Sequence, residues 1–203
     1  MTTALLVIDV QESFQRRPLW QTVSNPAIVH DVCRLVEASR RRGELVVWVL
    51  HAEPGSGGLF DPVRGYVRLM DGLSPRDDEP VLTKTSHNAF TTTNLQQRLV
   101  AAGVDHVVAC GIRTEQCVET TARLASDLGY TVTFVTEATA TFPAPHWSVP
   151  ADADLDEWLA DPRTLPAAEI ITRTEYALAG RFATIATIDE VVAGAHLGVL
   201  AGS

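Results

Sequence analysis

Three side chains of unlike chemistry follow apolar segments of the chain: a carboxylate, an ammonium and a thiol. Asp9 ends the apolar segment 4–9, Lys84 ends the segment 81–84, and Cys117 lies shortly after the segment 106–111. A thiol with a base and a cation beside it can attack a carbonyl carbon and form a covalent intermediate. Taken singly, each residue has a structural explanation, as a buried core cysteine or as half of an ion pair. Their meeting at one place would favour catalysis.

The lysine stands out by its rarity. Lys84 is the only lysine in the chain, whereas arginine supplies every other basic side chain. A compact ammonium whose pKa can shift differs in function from a planar guanidinium that is always charged. The arginine bias therefore suggests that position 84 requires an ammonium, although survival of one lysine by chance explains the count equally simply.

The hydrophobic pattern predicts the elements that position these residues. Short apolar segments predict six strands, at 4–9, 45–50, 81–84, 106–111, 131–136 and 182–186. Most are preceded by a helical segment that ends at a glycine expected to be left-handed, namely Gly43, Gly103, Gly129 and Gly180. Asn25 before Pro26 predicts one helix start, and Thr93 with Gln96 predicts another as a capping box. Repeated strand–helix units predict an α/β fold with a doubly wound, Rossmann-like parallel sheet.

The cysteines are expected to differ in reactivity. In an open parallel sheet ligands bind at the carboxyl ends of the strands, where Asp9, Lys84 and Cys117 all lie. Thr114 is the expected N-cap of the helix that carries Cys117 at its third position, where the helix dipole favours a thiolate. Cys33, on the apolar face of the first helix, and Cys110, inside a strand, are expected to be buried and unreactive.

Composition limits the function. The 203 residues, 46% of them hydrophobic, predict one domain spanning 1–203. A formal net charge of −9 argues against nucleic acid or a membrane surface as partner. The absence of a signal peptide and of a disulfide framework among three cysteines predicts a cytoplasmic protein. Two long segments, 53–80 and 143–166, depart from the strand–helix pattern and are expected to be surface excursions, the second bringing Trp147 near the site of its own or a neighbouring subunit.

Two motifs give the chain a recognisable family resemblance. Leu6-Val7-Ile8-Asp9-Val10-Gln11, the strand-end Lys84, and the segment 111–122, Gly-Ile-Arg-Thr-Glu-Gln-Cys-Val-Glu-Thr-Thr-Ala, together resemble the isochorismatase-like cysteine hydrolases. That family includes nicotinamidases, carbamoylsarcosine amidohydrolases and ureidoacrylate amidohydrolases. The resemblance extends from about residue 4 to the last predicted strand and implies a six-stranded parallel sheet flanked by helices.

The resemblance also implies roles for individual residues. Cys117 is the implied nucleophile, Asp9 the general base and acid, and Lys84 the third member of the triad. A cis peptide bond between Ile112 and Arg113 is implied, with the backbone amides of Arg113 and Cys117 forming the oxyanion hole. The implied reaction is hydrolysis of a C–N bond in a small amide, ureido or carbamoyl substrate through a thioester, by a homodimer or homotetramer that needs no cofactor.

The sequence departs from one branch of the family. Metal-binding nicotinamidases carry an Asp-x-His pattern after the second strand, and here Val49 takes the place of the aspartate that would accompany His51. One histidine without that carboxylate is a poor metal site, so no metal is predicted. Isochorismatase-type hydrolysis of a vinyl ether, which needs an acid rather than a thiol, is the alternative activity. A non-catalytic binding protein on the same fold is the remaining alternative.

The substrate pocket is expected to form from side chains near the same sheet edge. The candidates are Phe14, His51, His87, Asn88, Phe90, Arg113 and Gln116. Arg113 is the one that could pair with a substrate carboxylate, and a solvent-exposed arginine is the equally simple reading.

Overall fold

The computed structural model describes residues 2–150 and 152–195, and in them a parallel sheet forms the centre of the fold. Its strands are β1 (Thr3–Ile8), β2 (Leu45–His51), β3 (Val81–Lys84), β4 (His106–Ile112), β5 (Thr131–Ala140) and β6 (Thr184–Ile185). Their order is β3-β2-β1-β4-β5-β6, and all pairs are parallel. The described α-helices are α1 (Glu12–Gln15), α2 (Ile28–Arg42), α3 (Leu95–Ala101), α4 (Glu119–Asp127), α5 (Leu155–Ala160), α6 (Ala167–Leu178) and α7 (Ile188–Val192).

Both faces of the sheet are covered, as the apolar strands predict. In β1, Leu5 and Val7 pack into one core with residues of α2 and α7, whereas Leu6 and Ile8 pack into a second core with residues of α3 and α4. Every residue of β1 is buried because successive side chains point to opposite faces and each face carries helices. The predicted doubly wound α/β fold is confirmed.

The helix ends are predicted more successfully than the helix starts. Gly43, Gly103, Gly129 and Gly180 all have positive φ, as expected after a helix. The two predicted starts are wrong. Helix α2 begins after Ala27, and the Asn25 side chain instead accepts a hydrogen bond from the Ala27 amide in the preceding turn. Helix α3 has Asn94 as its N-cap, and Thr93 accepts from the Leu95 amide without a capping box.

The two segments outside the strand–helix pattern both pack on the sheet. Residues 53–80 contain a 3₁₀ turn, Pro62–Arg64, and supply Phe60, Leu69 and Met70 to the core on the α2 face. Residues 143–166 contain helix α5, which the sequence did not predict and which is held by a capping box of Asp154 and Glu157. Strand β5 is also longer than predicted, because an irregularity opposite Ala109 and Gly111 lets it continue to Ala140.

The site edge is defined by the pair β1 and β4. The chain winds outward in opposite directions from these two strands, so their carboxyl ends form the crevice in which such sheets bind ligands. Gly111, at the end of β4, has φ 125°, and a Cβ there would lie 1.9 Å from the Ile8 carbonyl oxygen. Only glycine permits this close approach of the two strands.

Among the described residues, no helix is both long enough and apolar enough to cross a membrane.

Candidate active site

The three predicted catalytic side chains meet in one buried cluster. Lys84 Nζ lies 2.7 Å from Asp9 Oδ2 and 3.3 Å from Cys117 Sγ, to which it donates a hydrogen bond. Asp9 and Lys84 have no solvent exposure, and Cys117 is 6% exposed. An ammonium therefore joins the carboxylate and the thiol, which is the arrangement needed for the thiol to act as a nucleophile with the carboxylate as its base.

The strand order explains why a long side chain provides this cation. Strand β3 is separated from β1 by β2, so the side chains of Lys84 and Asp9 together must span two strand spacings, about 10 Å. Lys84 is paired in register with His51 of β2 and passes over it, with Nζ 3.3 Å from His51 Nδ1. Its flexible four-carbon stem lets the ammonium cover most of this distance while remaining buried.

Asp9 is held in an unusual backbone conformation directly after β1. Its φ is 55°, the one positive value outside glycine among the described residues, and its amide donates to the Val49 carbonyl at 2.8 Å. Burial raises the pKa of Asp9 above its usual value of 3.8, and the Lys84 charge opposes that rise only in part. A carboxyl group with a raised pKa is suited to alternate between base and acid.

Cys117 lies in a single π-helical turn, Thr114–Val118, that leads into α4. The N-cap of this turn is Arg113, so the prediction of Thr114 as the cap is wrong. Thr114 instead donates a hydrogen bond from its hydroxyl to Thr139 on β5 at 2.8 Å. The wider turn makes Cys117 the fourth helical residue, and the Gln116 and Val118 amides both donate to the Arg113 carbonyl. π-Helical turns are often found at functional sites.

The expected thiolate is not supported by the surroundings of Cys117. Burial, followed by the nearby Asp9 charge, raises the pKa of Cys117 to about 12, although Lys84 acts in the opposite direction. The helix start and the ammonium therefore do not compensate for removal of the sulfur from water. The resting group is therefore a neutral thiol, and it must give up its proton during attack.

The two other cysteines have different surroundings. Cys110 is fully buried, and burial raises its pKa to about 12, as expected for a core cysteine. Cys33 was predicted to be buried, but it lies at the margin of the apolar face of α2 and is only half-buried, with its thiol near the Gly72 carbonyl. Exposure alone therefore makes Cys33, rather than Cys117, the more accessible thiol.

His51 is part of the site, as expected for a pocket residue. Besides its contact with Lys84, its ring lies 5.7 Å from that of Phe60 and is parallel to that of His87 at 6.5 Å. Burial and the Lys84 charge lower the pKa of His51 below its usual 6.5, so the ring is neutral at pH 7. A neutral imidazole can accept a hydrogen bond from the ammonium.

Gln11 is a site residue to which the sequence analysis assigned no role. Its side chain is fully buried and donates to Ser13 Oγ as well as to the His51 carbonyl, fixing the loop after β1 against the end of β2. The sequence does contain a signal for this role. A polar side chain two residues after Asp9, in an apolar segment, is expected to be buried and therefore needs hydrogen-bond partners.

Of three further pocket candidates, one lies at the site edge and two make contacts elsewhere. Phe14 is buried beside Phe60 at 4.9 Å, on the site edge. Asn88 uses its Oδ1 to accept from the Phe90 and Thr91 amides, an internal loop contact that argues against substrate binding. Phe90 stacks on Tyr130, which precedes β5 at the opposite end of the strand, and so belongs to the core rather than to the pocket.

Arg113 has an almost buried side chain, whereas the Gln116 side chain is exposed. The Ile112–Arg113 peptide bond is cis, as the family resemblance implied. Trp147 is 89% exposed and its ring lies beside that of His146, so it does not reach the site of its own chain; that it reaches the site of a neighbouring subunit stays a prediction. Across the described residues, no three His, Cys, Asp or Glu side chains are grouped so as to hold a metal ion.

Comparison with known proteins identifies the group to which this fold and site belong. Residues 3–158 match the family model of the isochorismatase domain. The chain is 36% identical over 157 residues to a probable inactive nicotinamidase of Arabidopsis thaliana, an alignment covering 68% of this chain and 80% of that one. It is 35% identical over 176 residues to a streptothricin hydrolase of Streptomyces noursei, covering 86% and 59%.

A solved structure agrees with these sequence matches. The isochorismatase of Pseudomonas putida KT2440 superposes with a TM-score of 0.78 at 31% identity, covering 93% of this chain and 89% of that one. The matched region contains the buried Asp9, Lys84 and Cys117 and five of the six strands. The chain therefore belongs to the isochorismatase family of hydrolases.

Proposed function

We propose that this chain is a cysteine-dependent hydrolase that cleaves a C–N bond of a small amide, ureido or carbamoyl substrate. The observation that carries the proposal is the buried ammonium of Lys84 between the Asp9 carboxylate and the Cys117 thiol. An ion pair without solvent exposure is costly, and similar apolar side chains would often stabilise a core as well or better. A catalytic role gives a reason for its presence beside a thiol.

In the first half of the reaction, Asp9 takes the thiol proton as Cys117 Sγ bonds to the substrate carbonyl carbon. As negative charge develops on the carbonyl oxygen, this oxygen accepts hydrogen bonds from the backbone amides of Arg113 and Cys117, a contribution of about 3 kcal/mol per donor in comparable sites. Asp9 then gives its proton to the leaving nitrogen, the C–N bond breaks, and a thioester remains on Cys117.

In the second half, Asp9 takes a proton from water while the water oxygen bonds to the thioester carbonyl carbon. Collapse of this intermediate releases a carboxylic acid, or a carbamic acid from a ureido substrate, and Asp9 returns its proton to Cys117. The Lys84 ammonium balances the negative charge that alternates between Asp9 and the sulfur. The raised pKa of Asp9 supports both of its roles.

The same raised pKa favours a second candidate, hydrolysis of a vinyl ether with Asp9 as the proton donor. That reaction has no use for a thiol nucleophile. The two candidates therefore differ in the effect expected from Cys117→Ala, which removes the sulfur and leaves Asp9 and Lys84 in place.

The experiment is ammonia or amine release from a panel of small amides, ureido acids and carbamoyl compounds, with isochorismate hydrolysis measured in parallel. We expect release by the parent and loss of at least about a thousandfold in Cys117→Ala, with Cys33→Ala as the matched control that retains turnover. Intact mass after rapid acid quench should show the substrate acyl group on Cys117. Isochorismate hydrolysis that survives Cys117→Ala, without activity on the panel, would establish the vinyl-ether candidate instead.

A further inference from the structure

A row of aromatic rings borders the candidate active site and ends at a guanidinium. Starting from His51, which contacts Lys84, the row continues to Phe60 at 5.7 Å, Phe14 at 4.9 Å and Phe142 at 6.2 Å. The Arg113 guanidinium carbon lies 4.9 Å from the centre of the Phe142 ring. The row therefore extends from the triad cation at one end to a second, separate cation at the other.

Arg113 is positioned by its neighbours but leaves its hydrogen-bonding capacity unused. Its side chain is 13% exposed, and its buried Nε has no hydrogen-bond partner. The nearest carboxylate oxygen, Oε1 of Glu115, is 3.7 Å from Nε, which is beyond hydrogen-bond length. The other Glu115 oxygen accepts a hydrogen bond from the Thr141 hydroxyl at 2.5 Å. Glu115 is therefore held by Thr141, the residue directly after β5, rather than by Arg113.

Local charge around Arg113 is positive in a chain that is acidic as a whole. Arg17 is close enough for its charge to oppose that of Arg113, and no ion pair of Arg17 is found among the described residues. Glu115 supplies one opposing negative charge, and the neutral Cys117 thiol supplies none at rest. Two arginines against one carboxylate leave an unbalanced positive charge near the nucleophile, while the net charge of the whole chain is −9.

A guanidinium stacked on a ring, with free donors and incomplete charge balance, matches the requirements of carboxylate recognition. We propose that Arg113 is a specificity-determining residue that binds a carboxylate of the substrate. The substrate class is then a small monoamide, ureido acid or carbamoyl acid whose body lies between Cys117 and Arg113, beside the partly exposed Phe60 ring; the Phe14 and Phe142 rings are buried. This inference rests on the proposed C–N hydrolase function and names its substrate.

The test compares matched pairs that differ only in charge. Oxamate, malonamate, succinamate and 4-carbamoylbenzoate are each compared with the corresponding neutral diamide, because the span between Arg113 and Cys117 selects among body lengths. Binding is measured by calorimetry on Cys117→Ala, which cannot turn the compounds over, and kcat/KM is measured on the parent. We expect at least one anion to bind ten- to a hundredfold more tightly than its diamide.

Arg113→Met should bring that ratio of anion to diamide close to one, because the substituted side chain keeps the apolar contact with Phe142 and loses the donors. Arg113→Lys should recover only a small part of the preference, since an ammonium cannot form the same planar contact. Arg173→Met is the matched control: it removes one positive charge from an exposed position on α6 and should leave the ratio unchanged.

The two proposals fail in distinguishable ways. Equal binding of every anion and its diamide, or an undiminished ratio in Arg113→Met, would overturn the assignment of Arg113 whatever the turnover results. Preferential anion binding that depends on Arg113, without amide hydrolysis by the parent, would support carboxylate recognition and contradict the C–N hydrolase function. If the ratio of anion to diamide binding falls equally in Arg113→Met and Arg173→Met, the preference for anions depends only on the net charge of the protein. That result would overturn the assignment of Arg113.

Discussion

The Gln11 side chain is hydrogen-bonded to both backbone groups of His51. Its Oε1 accepts from the His51 amide at 2.7 Å, and its Nε2 donates to the His51 carbonyl at 3.0 Å. Gln11 thus connects β1 to β2 beyond the last backbone pair between them, which joins Ile8 to Val49. It fixes the end of β2 over which Lys84 passes.

Gln11→Glu tests this positioning role. The carboxylate can accept from the His51 amide but places an oxygen against the His51 carbonyl, which leaves a buried acceptor without a donor. We expect a loss of about 1–3 kcal/mol in the free energy of unfolding, together with at least a tenfold fall in kcat. Urea unfolding and steady-state kinetics measure the two effects. Parental values of both would show that the His51 contacts do not position the site.

Lys84→Arg tests whether the site needs an ammonium or only a positive charge. The guanidinium is wider than the ammonium, and Lys84 Nζ is within 3.3 Å of Asp9, His51 and Cys117 at once. We expect at least a hundredfold fall in kcat/KM, equivalent to about 2.7 kcal/mol of transition-state stabilisation. An arginine variant with near-parental turnover would contradict the triad. Arg173→Lys, on an exposed surface, is the control for the exchange itself.

Lys84→Met tests the dependence of Asp9 on its counter-charge. The methionine leaves the Asp9 carboxylate buried without a partner, which costs about 3–5 kcal/mol in comparable cases. The double variant Asp9→Asn/Lys84→Met removes both charges and should recover most of that loss, although it remains inactive. Loss of the ammonium also raises the pKa of Cys117 further, so alkylation by iodoacetamide should begin at a higher pH in Lys84→Met. Equal stability of parent and Lys84→Met would show that the pair is not coupled.

The pH dependence of kcat/KM should report the titration of Asp9. Its pKa is raised above 3.8, and only the ionised carboxylate can take the thiol proton. Activity should therefore fall as the pH decreases through a value above 3.8. His51 has a lowered pKa, and its charge is the smallest of the influences on the pKa of Asp9, so His51→Gln should shift the position of this acid limb only slightly. A limb near pH 6.5 that disappears in His51→Gln would assign the titrating group to the histidine.

Gly111→Ala tests the close approach of β1 and β4. The added Cβ would meet the Ile8 carbonyl oxygen at 1.9 Å, and φ of 125° is strained for alanine. We expect a loss of more than 4 kcal/mol in the free energy of unfolding, or failure to accumulate as folded protein. Gly103→Ala is the matched control, because its φ is also positive but a Cβ there has nothing within 4 Å. It should cost only about 1–2 kcal/mol. Similar losses in the two variants would exclude the steric explanation.

The sequence by itself determined which candidate residues lie together and which end of the strands they occupy. Asp9, Lys84 and Cys117 each follow an apolar segment, and a parallel sheet brings the carboxyl ends of its strands to one edge. The apolar character of both faces of β1 likewise predicted helices on both sides. These properties depend only on the local hydrophobic pattern and on the direction of the chain. The differences between the predicted and the observed strand bounds do not alter them.

Only the tertiary structure decided how those residues act on one another. Lys84 reaches across β2 because the strand order places β2 between β3 and β1. The pKa of the Cys117 thiol is raised rather than lowered because neighbours remote in sequence bury it. The stacking of Arg113 on Phe142 is of the same kind, since β5 runs past the irregularity opposite Gly111 to bring that ring to the site. Desolvation and charge balance are set by everything within several ångströms of an atom, and no local pattern contains that information.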